Sequence, residues 1–292
     1  MMYSIESEIL KVTIQQKGAE LDSIFNRTNN HEYLWSGDAA FWGKKSPVLF
    51  PIVGTLKNDT YFITSKSYHL SRHGFARDLL FEVSSQTANA NAITFTLRSN
   101  EDTYQKFPFH FRFDIIYAVT ANILSVTYRV TNTGKAEMFF SVGGHPAFRL
   151  PLTAGSGYSD YYLEFSEAEN AGRWPISKEG LIEKTSMQLL DNSRHLPITK
   201  ELFQNDAIVL KNLRSEKVKL KSDKSAEGIE FDFTGFPYLG LWAAKNADFI
   251  CIEPWCGIAD SVDSDQQLET KEGINKLAAD EVFERTWRIT LF

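Results

Sequence analysis

Leu124-Ser125-Val126-Thr127-Tyr128-Arg129-Val130 decides the fold class. Apolar and polar residues alternate strictly along it, so successive side chains suit opposite faces of a half-buried β-strand and not the face of a helix. The same period recurs outward in both directions. Leu10, Val12 and Ile14 show it, as do Ile93, Phe95 and Leu97, then Ile229, Phe231 and Phe233, and finally Trp287, Ile289 and Leu291. Turn-forming residues such as Asn132-Thr133-Gly134 and Ala121-Asn122 punctuate the runs. Helical character is confined to a turn or two at 100–106 and 199–205. Strands without intervening helices lack the crossovers a parallel sheet needs, so the sheets are predicted to be antiparallel. No repeat of roughly 20–50 residues and no Pro/Ser-rich linker divides the chain, and the irregular stretch 150–157 reads as a loop. The prediction is a single all-β domain over 1–292, a large antiparallel β-sandwich.

Composition supports a substantial core: 43% of the 292 residues are hydrophobic, and 22 are Phe. A net charge of −6 argues against nucleic acid as a partner, because phosphate binding needs a basic face. Lys217, Lys219, Lys221 and Lys224 form a local basic stripe whose period of two reads as the solvated face of a strand. No window approaches the ~18 apolar residues of a membrane span. The opening Met1-Met2-Tyr3-Ser4-Ile5-Glu6 lacks the basic-then-apolar pattern of a secretion signal. The two cysteines, Cys251 and Cys256, imply no disulfide framework, and two thiols cannot by themselves complete a structural zinc site. The expectation is a cytoplasmic protein, monomer or homodimer, with no nucleic-acid or membrane partner.

Three runs break the alternation with Gly, Pro and polar residues: His73-Gly74-Phe75-Ala76-Arg77, Ser141-Val142-Gly143-Gly144-His145-Pro146-Ala147-Phe148, and Cys251-Ile252-Glu253-Pro254-Trp255-Cys256-Gly257. The last reads as a buried strand carrying a carboxylate, and the first two as tight turns carrying a histidine each. Without metal or cofactor, a Glu and a His can act on a cyclic sugar. The carboxylate takes the proton of the C1 hydroxyl while the imidazolium protonates the ring oxygen. The ring opens, the C1–C2 bond rotates, and reversal gives the other anomer, each group contributing roughly 10²–10⁴-fold. The scheme expects an ionised Glu and a protonated His that support each other. Trp255 would offer a flat apolar surface to a sugar ring.

These runs, with Gly18-Ala19-Glu20-Leu21, Tyr33-Leu34-Trp35, Pro47-Val48-Leu49-Phe50-Pro51-Ile52-Val53-Gly54, Asn205-Asp206-Ala207 and Gly235-Phe236-Pro237-Tyr238-Leu239-Gly240-Leu241-Trp242, resemble the aldose 1-epimerase (galactose mutarotase-like) family, in particular its LacX-like branch. The resemblance runs over nearly the whole chain and implies the family's large antiparallel sandwich. It implies Glu253 as general base at the C1 hydroxyl and His145 as general acid at the ring oxygen. His73 would be the second site histidine, with Asp206, Arg77 and Trp255 contacting a small-molecule sugar, and no metal or cofactor taking part.

Other readings of these residues stand beside that one. Asp206 suits a turn cap, Arg77 suits an ion pair with Asp78 or Glu82, and Trp255 suits core filling. Two departures bear on the substrate. Many relatives carry Arg where this chain has Thr55, and the galactose-processing branch has Pro-Asp where Ile258-Ala259-Asp260 stands here. A phosphorylated hexose would need cations converging beyond the Glu/His pair, with Arg72, Arg77 and Lys57 as candidates. A non-catalytic sugar-binding protein and a glycoside hydrolase using Glu253 with Asp206 are the alternatives from other classes.

Overall fold

The computed structural model of the protein describes residues 1–87 and 90–292. Among these, the largest sheet has nine antiparallel strands. In spatial order they are Met187–Pro197, Tyr161–Arg173, Lys217–Ser222, Ser225–Asp232, Val282–Leu291, Ile123–Asn132, Phe111–Thr120, Ala92–Arg98 and Glu82–Gln86. Leu124 to Val130 lie in the sixth of these strands, in the interior of the sheet. Leu124, Val126, Tyr128 and Val130 are all buried and pair with Val119, Tyr117, Ile115 and Phe113 on one side. On the other side Leu124 and Val126 face Ile289 and Trp287. The polar alternates Ser125, Thr127 and Arg129 point to the opposite, wetter face, as period two requires. A buried hydrogen bond from Trp287 Nε1 to Tyr128 Oη (3.0 Å) satisfies both polar tips within the core.

A six-stranded sheet faces this one. Ile208–Lys211, Tyr238–Trp242, Phe249–Cys256, Val142–Gly144 and Val48–Leu49 lie in that order, and Ala147–Arg149 also pairs with Phe249–Cys256. Aromatic rings fill the space between the layers: Phe50 stacks on Phe113 at 4.5 Å and Phe148 meets Phe231 edge-on at 6.0 Å. A third sheet of four strands, Met2–Glu6, Leu10–Gln15, Leu21–Asn26 and His31–Glu32, carries the buried Leu10, Val12 and Ile14. The architecture is therefore the antiparallel β-sandwich read from the sequence.

Local detail follows the same logic. The helix Glu101–Lys106 begins at Asn100, whose side chain accepts the Thr103 N–H at 2.9 Å while Thr103 Oγ1 accepts the Asn100 N–H at 2.8 Å. The segment 199–205 contains a 3₁₀ turn, Lys200–Phe203. Phe233 is buried but lies one residue beyond its strand. Lys217, Lys219 and Lys221 stand on the solvated face and meet Glu230 and Glu164 across the sheet at 3.3–3.6 Å. Such exposed pairs contribute little to stability. Among the described residues no helix is long and apolar enough to cross a membrane.

Candidate active site

Every residue of the strand Phe249–Cys256 is buried, and alternation places Cys251, Glu253 and Trp255 on one of its faces. The indole of Trp255 needs room there, which glycines on both neighbouring strands leave. A Cβ on Gly240 would lie 2.4 Å from the ring and one on Gly143 would lie 2.7 Å from it. Glu253 is 1% exposed, and its Oε2 has no hydrogen-bond partner.

His145 does not occupy the tight turn read from its glycines; it sits in a gap between two short strands. Val142–Gly144 pairs Gly143 with Trp255, and Ala147–Arg149 pairs Ala147 with Cys251. Both pairings share one register, which sets His145 directly opposite Glu253. Pro146 has no N–H and interrupts the ladder there, although its carbonyl still accepts the Ile252 N–H at 3.2 Å. Directly opposed side chains on one face are close neighbours, and His145 Nε2 lies 3.2 Å from Glu253 Oε1.

His73 does sit in a tight turn, with Gly74 N–H donating to Ser71 O at 2.9 Å. Its φ of 70° is a left-handed conformation that costs a side chain energy and is found more often at functional positions. Gly54 holds it at both ends: His73 N–H donates to Gly54 O at 2.9 Å, and Gly54 N–H donates to His73 Nδ1 at 3.1 Å. With Nδ1 accepting, the neutral ring carries its proton on Nε2 and can donate from there. The His73 and His145 rings stand perpendicular, 5.9 Å apart.

These groups line one cavity of about 570 Å³, within the range that small-molecule sites occupy. Arg77, Asp206 and Trp255 line it too, so the structure gathers all six residues singled out in the sequence. Three of them also fit their simpler readings. Asp206 has φ 67° and accepts its neighbour's N–H, from Ala207, at 2.7 Å, as a turn residue does. Arg77 lies 3.8 Å from Asp78 and donates to Arg72 O at 2.9 Å. Trp255 packs with Val53, Ile182, Val209 and Ile258 in a small apolar cluster.

Several lining residues had no such signal in the sequence. Trp42 stands in a loop, yet its ring lies 4.9 Å from that of His145, and Trp242 meets the same imidazole edge-on at 5.6 Å. An aromatic in a polar loop was the available hint. Lys245 joins Arg72 and Arg77 on the lining. Lys57 does not; its Nζ donates to Ser264 O at 3.2 Å. Above Thr55 lies Gly180, close enough that a Cβ there would come within 2.6 Å of Thr55 Oγ1. The chain around Gly180, with Ile176 and Ile182, therefore fills space above that threonine.

Electrostatics correct one expectation. Burial pushes the Glu253 carboxyl well above its usual range, with Asp206 adding to the rise. The Arg72 charge opposes it, as does the Trp255 indole, whose N–H stops short of a hydrogen bond. Burial also pushes His145 down to about 3, against a smaller pull from its own backbone, and the Arg72 and Arg77 charges lower it further. The aromatic shell around the imidazole supplies that desolvation. His73 is held well below its usual value by burial and then by His145, Arg72 and Arg77. The resting pair therefore favours a neutral carboxyl beside a neutral imidazole, holding one proton between them, where the sequence leads to an ion pair.

A buried carboxyl and imidazole sharing one proton at the floor of a cavity can accept a proton at one substrate oxygen and donate one at another. Residues 1–273 match the sequence model of the family described as aldose 1-epimerase. This chain belongs to the aldose 1-epimerase family. Within it, the Protein LacX, chromosomal, of Lactococcus lactis subsp. lactis is 33% identical over 301 residues, covering 100% of this chain and 99% of the relative. The crystal structure of a galactose mutarotase related enzyme from Lactobacillus acidophilus superposes with a TM-score of 0.95 at 36% identity, covering 100% of this chain and 97% of that one. A galactose mutarotase-like protein from Lactobacillus casei gives 0.93 at 34% identity, with both chains fully covered. The aldose 1-epimerase fold thus extends over the full chain, and the family is one of sugar epimerases.

Proposed function

We propose that this protein is a cytoplasmic hexose 1-epimerase, interconverting α and β anomers by acid–base catalysis at Glu253 and His145. The observation that carries the reading is the 3.2 Å separation of Glu253 Oε1 and His145 Nε2, in register across one sheet at the base of a sugar-sized cavity. The two reacting oxygens of a hemiacetal hang from one carbon, so they need an acceptor and a donor side by side. With the pair's one proton moved onto His145, the ionised Glu253 takes the C1-hydroxyl proton as the bond from C1 to the ring oxygen breaks, and His145 delivers its proton to that oxygen. Rotation about C1–C2 and the reverse transfers close the ring in the other anomer. His73 Nε2–H hydrogen-bonds the ring oxygen or a neighbouring hydroxyl, Asp206 binds hydroxyls, and Trp255 takes an apolar ring face. Polarimetry or NMR exchange over free and phosphorylated hexoses tests this directly. Binding without any acceleration of mutarotation would favour a sugar sensor.

The shared proton predicts the pH profile. Activity requires the pair to hold one proton. It falls on the acid side when His145, depressed to about 3, takes a second proton. On the alkaline side it falls when the raised Glu253 carboxyl gives up the proton it shares. The expected kcat/KM profile is a plateau whose acid limb lies well below the ordinary imidazole value of ~6.5. An acid limb centred at that value would contradict the assignment.

One observation favours a second reading, an anionic sugar such as a hexose phosphate. Arg72, Arg77 and Lys245 line the cavity against the single rim carboxylate of Asp206, which lies 3.8 Å from Arg72. A phosphate would find Arg77 and Lys245 available for charge-assisted contacts. Arg77→Ala is then expected to raise KM for a hexose phosphate by roughly ten- to hundredfold, the worth of a hydrogen bond to a charged group, and to change KM for the free hexose little. Equal effects on both would remove this reading.

A further inference from the structure

We propose that His145, Cys251 and Glu253 form a binding site for a soft divalent cation of the Zn²⁺ class, whose occupancy switches the epimerase off. The inference rests on the reading of Glu253 and His145 as the acid–base pair only for its effect on activity; the site itself stands on geometry. The three side chains are buried, and a ligand atom from each lies within 4.8 Å of the others. Cys251 and Glu253 are two residues apart on one strand and share its face, while His145 opposes Glu253 from the next strand.

The spacing suits a tetrahedral ion. Ligand bonds of ~2.0–2.1 Å to nitrogen and oxygen set those two atoms a little over 3 Å apart, close to the 3.2 Å that now separates them. The cation would replace the proton between them, and a small shift of the Cys251 side chain would bring its sulfur to bonding distance. Glu253 Oε2 is buried with no hydrogen-bond partner, so the carboxyl is incompletely satisfied as it stands. His145 and Glu253 both line the cavity, from which a water would supply the fourth ligand.

Charge and softness select the ion. Binding releases two protons, one from the Cys251 thiol and one from the Glu253–His145 pair. A dication with one thiolate, one carboxylate and one neutral imidazole carries no net charge, which a buried site tolerates. The thiolate favours Zn²⁺ and its softer neighbours over Mg²⁺ or Ca²⁺. Both proton-transfer groups would then be ligands, so mutarotation stops until a chelator removes the metal.

Cobalt(II) provides the test, because thiolate ligation gives a near-ultraviolet charge-transfer band whether or not the protein is an enzyme. The wild-type protein is expected to show that band saturating at one equivalent, displaced by Zn²⁺ and absent with Mg²⁺. Cys251→Ser should abolish the band and weaken Zn²⁺ inhibition of mutarotation by at least about tenfold, with Cys251→Ala as a second variant and circular dichroism to confirm that both fold. A wild-type protein without the band, or a folded Cys251→Ser protein that retains it, overturns the site. If the band is present but no hexose is epimerised, the metal site stands and the catalytic reading falls.

Discussion

Glu253→Gln is expected to lower kcat for mutarotation by about 10²–10⁴-fold, the contribution of one positioned proton acceptor. The amide keeps the shape of the carboxyl beside His145, but it cannot take the C1-hydroxyl proton. Folding should be nearly unaffected. Burial already favours the neutral carboxyl, and Oε2 makes no hydrogen bond that the substitution would break. His145→Ala should cause a loss of the same order, with a modest rise in KM, because the ring-oxygen proton donor disappears. NMR exchange spectroscopy at saturating hexose reads kcat, and thermal melts check the fold. Near-normal kcat in either variant would break the proposed acid–base pair.

Lys271→Met should be strongly destabilising. Lys271 and Asp260 form an ion pair at 2.7 Å with both side chains almost wholly buried, at 4% and 3% exposure. Removing one partner leaves an uncompensated buried carboxylate, which costs about 3–5 kcal/mol. For a chain of this size that corresponds to a fall in Tm of roughly 10 °C. The damage would reach the cavity. Asp260 Oδ2 accepts the Lys57 N–H at 2.9 Å, and the Asp260 backbone N–H donates to Thr55 O at 2.9 Å. Its carbonyl accepts the Ile182 N–H at 2.8 Å, so one residue ties the Thr55 turn to the cavity wall. Lys271→Met with Asp260→Asn should recover part of the loss, because no charge is then stranded. A change in Tm of only a degree or two for the single variant, by differential scanning calorimetry, would show that the pair is solvated.

The departure at Thr55 gains a physical context from this arrangement. A long cation at that position would meet Gly180, where even an added Cβ would come within 2.6 Å of the threonine hydroxyl. The cations that do line the cavity, Arg72, Arg77 and Lys245, come from other segments.

Alternation alone determined the strands, because a half-buried strand must alternate to keep one face dry; Leu124 to Val130 and Trp287 to Leu291 needed nothing further. The residues able to move protons were also legible, since Glu253, His73 and His145 stand in Gly- and Pro-bearing runs that interrupt the pattern. Sequence could not decide which of them meet, because pairing register joins positions more than a hundred residues apart: only the sheet sets His145 opposite Glu253. Nor could it place Trp42, Trp242 or Lys245 on the cavity, or foresee that burial makes the resting pair neutral. Desolvation belongs to the assembled environment of a group, and no local run of residues encodes it.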